Sequence, residues 1–235
     1  MSDTDPGDTP DHNAPPVLPL PGLVWAVLLA LAGTEAALWA GTQGLIGGPG
    51  ATGWRLIAVE RLGFAAPVQT WMLDSRQFPP EHLLRYLSYP LVHAGALHAL
   101  LSMVFIAALG KSTAASHGQG ALAVLLVVPG ALGAAVFGLL TTGQGWLLGA
   151  TPAVLALVGV WTWSRWQDAG TSHRARIAAL GLVSSFLTLR LAFGLMVEAS
   201  DVWIAELTAF ALGAALAQAL APGAARRALQ RLRQR

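Results

Sequence analysis

Residues 85–110 read RYLSYPLVHAGALHALLSMVFIAALG. After Arg85, no Asp, Glu, Lys or Arg occurs up to Gly110. Alanine and leucine dominate, and there is no period-2 alternation, so a strand reading fails. The expected span that covers most of this stretch is Leu83–Leu109. At 1.5 Å per residue its length suffices to cross a hydrocarbon core of about 30 Å.

Five more stretches have the same character: Leu23–Ala40, Gly120–Thr142, Trp146–Trp163, Ile177–Val197 and Val202–Ala221. Backbone polar groups find no water in the bilayer core, so each must be a helix. Composition agrees. Hydrophobic residues make up 54% of the chain and charged residues 11%, against about 25% charged in a soluble domain. The expectation is an all-α membrane protein with six spans.

Residues 1–22 hold four aspartates and no Lys or Arg. A secretory leader needs a positive n-region, so this segment is expected to be a disordered tail. Residues 23–221 form the membrane domain, and 222–235 a basic tail. The first connection, about 41–82, is the longest. It carries Trp54, Arg55, Glu60, Arg61, Trp71, Asp74 and Arg76, a mixture that suits a structured loop at the membrane surface.

Nine basic residues fall on one side: Lys111, three arginines at 165–176 and five at 226–235. Four fall on the other: Arg55, Arg61, Arg76 and Arg85. The positive-inside rule then puts both termini in the cytoplasm and the long loop outside. A reporter fused after Arg235 should report cytoplasm, and one inserted within 41–80 the outer side. The reverse pattern would overturn the six-span topology.

The chain has no cysteine, which excludes disulfides, thiolate metal sites and a cysteine nucleophile. Nothing in it points to a nucleic-acid surface, since the high pI comes from the arginine-rich tail. Thirteen arginines against the single Lys111 hint at a GC-rich bacterial genome, and hence a bacterial inner membrane.

The stretch 85–110 resembles the second span of the rhomboid family of intramembrane serine proteases. That family has an Arg before the span, then H-x-x-x-x-H-x-x-x-N, then a Gly. Arg85, His93, His98 and Gly110 match, and Ser102 takes the Asn position. The family's G-x-S-G at the fourth span is similar to GATP at 149–152. Gly149 matches, Thr151 stands at the nucleophile position and Pro152 replaces the second Gly. The sixth-span motif A-H-x-x-G-x-x-x-G is similar to AELTAFALG at 205–213. Ala205 and Gly213 match, Ala209 replaces the first Gly, and Glu206 takes the position of the general base. The likeness covers about residues 23–221.

The resemblance implies a nucleophile, a base and an oxyanion hole, and all three are altered. Thr151 keeps a hydroxyl, but its β-methyl crowds attack. Glu206 is a poor base, with an unperturbed pKa of about 4.3 against about 6.5 for histidine. Ser102 and His98 remain as candidate oxyanion donors. A structural reading of Thr151-Pro152 stands beside the catalytic one and is preferred: Thr as N-cap and Pro as first helical residue.

His93 and His98, five apart, would lie about 140° apart on one helix. That spacing argues against a shared metal ion, and no metal or other cofactor is expected. Buried charges are costly in a span and usually paired. Glu206 and Arg190, at expected depths of roughly 6 and 10 Å, are candidate partners. His98 and Thr151 are alternatives for Glu206, and Glu35 is an alternative for Arg190.

Three functions follow for testing. The first is a rhomboid-fold pseudoprotease that binds transmembrane client proteins in the bilayer. The second is an active intramembrane endopeptidase using Thr151. The third is a small transporter or channel with Arg190 and Glu206 in a polar path. Substrate-dependent flux in liposomes would single out the third.

Overall fold

The computed structural model describes residues 19–141, 145–181, 183–185, 201–221 and 223. Its helices are α1 (Gly22–Thr42), α2 (Trp54–Leu62), α3 (Ala66–Ser75), α4 (Pro80–Ser88), α5 (Ala96–His117), α6 (Gln119–Leu140), α7 (Thr151–Asp168), α8 (His173–Ala179) and α9 (Trp203–Leu220). Single 3₁₀ turns occupy Pro49–Gly53 and Tyr89–Leu91. Two short strands, Phe64–Ala65 and Trp146–Leu147, pair antiparallel with Phe64 opposite Leu147.

Among the described residues, four helices are long and apolar enough to cross a membrane: α1, α5, α6 and α9. They present large apolar side chains outward. Leu97 is 70% exposed, and Leu100, Val104, Leu132 and Leu139 are also exposed. Apolar surface on this scale is unsuited to water and suits acyl chains.

The centre of the bundle is α7. Every residue from Pro152 to Val160 is buried. Beyond them come Ser164, Arg165, Gln167 and Asp168, which lower its mean hydropathy. Helix α9 packs chiefly against α7 and next against α6. Small residues permit this close approach. A Cβ added to Gly159 would collide with the carbonyl of Phe210, and one added to Gly213 with that of Ala156. On the other side, a Cβ on Gly133 would lie 2.6 Å from the Ala205 carbonyl oxygen.

The expected boundaries of two spans are corrected. The stretch Leu83–Leu109 is not one helix. It comprises the end of α4, a 3₁₀ turn, an irregular segment at 92–95 and then α5, which runs on to His117. Pro90 lacks an N–H to continue a helix, and Gly95 is extended at φ −180°. The stretch Trp146–Trp163 begins as a strand, and its helix starts only at Thr151. Most of the span expected at Ile177–Val197 lies outside the described residues.

The long first loop is folded. Ser88 Oγ donates to the Leu62 carbonyl at 2.8 Å, and Arg85 Nη1 donates to that of Gly63 at 3.1 Å. These bonds satisfy carbonyls left unpaired at the end of α2. Gln69 Nε2 donates to the Ala135 carbonyl of α6 at 3.0 Å, and its Oε1 accepts from Tyr86 Oη at 2.7 Å. Burial raises the Tyr86 phenol above its usual range, so it stays a donor. Phe64 packs edge-on against Tyr86 and Phe137. The loop is thereby fastened to α6, and its last residues lead into the site.

Candidate active site

Thr151 is the first residue of α7, and its N-cap is Ala150, with no side chain bonded to the helix end. The expected capping role of Thr151 is therefore corrected, although Pro152 does sit in the first turn. The Thr151 hydroxyl instead lies 2.8 Å from His98 Nε2. His98 comes from the first turn of α5, 53 residues away in sequence. Both side chains are half-buried.

Gly149 makes this meeting possible. Its φ of +82° favours glycine. A Cβ there would also stand 2.5 Å from His98 Cε1 and 3.1 Å from His93 Cδ2. Two further bonds hold the turn. Gly149 N–H donates to the Tyr89 carbonyl at 3.1 Å, and Ala150 N–H donates to His93 Nε2 at 3.3 Å.

His93 is fully buried. Because its Nε2 accepts, its proton sits on Nδ1. It lies before α5, not on it, so the helical angle expected between the two histidines does not apply. Their rings meet edge to face, with centroids 5.0 Å apart. Among the described residues, no group of three or more His, Cys, Asp or Glu could hold a metal ion.

Ser102 is buried one turn further along α5, and its Oγ donates to the His98 carbonyl at 3.0 Å. That bond uses its single proton within its own helix.

Glu206 lies in the first turn of α9 and is 3% exposed. The amide dipoles at a helix N-terminus favour a carboxylate there. It lies within electrostatic reach of Tyr89, whose buried hydroxyl donates to the Gly130 carbonyl at 3.0 Å. Its expected partner Arg190 lies outside the described residues.

Residues 80–223, more than half of the chain, match the Rhomboid domain. The chain belongs to the rhomboid family. Among curated proteins, no match is found. Of the positions in the rhomboid pattern, His93, His98, Gly149 and Thr151 are gathered at one point, while Ser102 lies one turn further along α5 and Glu206 in the first turn of α9.

Two features of this rhomboid site escape a reading of the motifs. Tyr89 supplies the carbonyl that holds Gly149, although only its place beside Pro90 marks it in sequence. Arg55 of α2 pairs with Glu35 of α1, with Nη2 to Oε1 at 2.6 Å and Nη1 to Oε2 at 3.2 Å. Glu35, an expected candidate for Arg190, is therefore engaged by Arg55 of the long first loop.

Proposed function

We propose that this rhomboid is a six-span pseudoprotease. It binds transmembrane segments of client proteins from within the bilayer and does not cleave them efficiently. It sits in a bacterial inner membrane with both termini cytoplasmic. The observation that carries the reading is the His98–Thr151 hydrogen bond, together with a carboxyl at the base position.

One imidazole cannot serve two roles at once. With Glu206 in place of a histidine base, His98 is the ring that touches the nucleophile hydroxyl. If its Nε2 accepts the Thr151 proton, that N–H is committed to returning the proton to the departing group and is not free to serve an oxyanion. If it donates, the hydroxyl is not activated. Ser102 offers no relief, since its proton goes to the His98 carbonyl. Losing one oxyanion donor costs about 10²–10³ in rate, and loss of a dedicated base adds to that.

The same 2.8 Å contact supports a second reading. Thr151 would be the nucleophile and His98 a relocated base, giving an intramembrane threonine protease. Fluorophosphonate labelling separates the two. The first reading expects no covalent adduct on the wild-type protein. An adduct that disappears in both Thr151→Ala and His98→Ala would establish the second.

A further inference from the structure

We infer that Arg55, clamped by Glu35, is a positioning residue for the Thr151–His98 site and acts through His93. The inference holds whether or not the site cleaves.

The contacts run through four segments of chain. Glu35 sits in the outer half of α1 and is 7% exposed. Its two oxygens take both terminal nitrogens of Arg55, a fork-to-fork pairing that fixes the plane of the guanidinium. The same Nη1 donates onward to the His93 carbonyl at 2.7 Å. The ring of His93 accepts from Ala150 N–H, the residue before Thr151. Its edge meets the ring of His98, which holds the Thr151 hydroxyl. The ion pair thus fixes the backbone of His93, and His93 fixes the start of α7.

A purely structural role does not account for the choice of groups. A carboxylate in a span is costly. At its other end, α2 is held without one, by Ser88 and Arg85 on carbonyls alone. The segment at 92–95 has no regular structure to define it, so a directional donor at His93 sets where its ring points. Lysine would keep the charge but not the planar fork that serves two oxygens and a carbonyl together.

The test is histidine ring ¹⁵N resonances of the full chain in nanodiscs, with His93 assigned through His93→Gln. In the wild type, His93 should show one protonated and one accepting nitrogen. In Arg55→Met the two resonances should move toward a tautomer average, and the His98 signals should shift. Arg55→Lys keeps a cation beside Glu35 and should give a smaller displacement in the same direction. Arg85→Met removes a loop contact that does not touch His93. It should lower the melting temperature and leave the His93 signals in place. Unchanged His93 signals in Arg55→Lys, or an equal displacement in Arg85→Met, would overturn the inference. If Arg55→Met does not fold, the lysine variant decides alone by the same criterion.

Discussion

Gly213→Leu should destabilise the membrane domain by about 3 kcal/mol, the upper end of overpacking losses. The added Cβ meets the carbonyl and Cα of Ala156 on α7, backbone atoms that no side-chain rotation can move aside. Helix α9 would have to move off α7, the helix it packs on most extensively, and take Glu206 with it. Gly120→Leu is the control. It sits in α6, and nothing lies within 4 Å of a Cβ built there. Its effect should stay within about 0.5 kcal/mol. Thermal melts in detergent distinguish the two. Equal, small shifts would mean that the α7–α9 seam is looser than described.

Arg55→Met should cost about 3 kcal/mol by leaving the Glu35 carboxylate buried without its cation. The figure is taken from the low end of such losses because the Arg55 side chain keeps 25% of its surface exposed. Glu35→Gln alone should cost less, since the amide oxygen still accepts from Arg55. The double variant should lose less than the sum of the two, as expected for groups in direct contact. Strictly additive melting shifts would show that the pair is not coupled.

Among the described residues, four of the expected spans were legible because hydropathy and length decide them. Their ends were less so. Hydropathy runs unbroken through Pro90 and Gly95, and it does not register that one lacks an N–H and the other starts a new helix. Trp146 and Leu147 are as apolar as a helix, yet they pair with Phe64 and Ala65, more than eighty residues earlier in the chain.

The site was legible as a set of positions and not as a set of bonds. Local propensity favours Thr before Pro as a cap, and that argument contains no term for an imidazole 53 residues away. Depth along the membrane normal made Glu35 a candidate for Arg190. Depth does not give the direction in which a side chain points around its helix, and it did not reveal that Arg55 of the first loop pairs with Glu35. Ser102 matched a donor position by spacing, but spacing does not register that a serine hydroxyl can bond its own i−4 carbonyl, as it does here to His98.

On the proposed reading, this rhomboid keeps the scaffold without efficient cleavage. Proteolysis in liposomes tests it most directly. The purified full chain is reconstituted with a transmembrane rhomboid substrate, and cleavage is followed over time beside an active rhomboid. No product should rise above background, and wild type and Thr151→Ala should be indistinguishable. Product that accumulates with the wild type and vanishes in Thr151→Ala would contradict it.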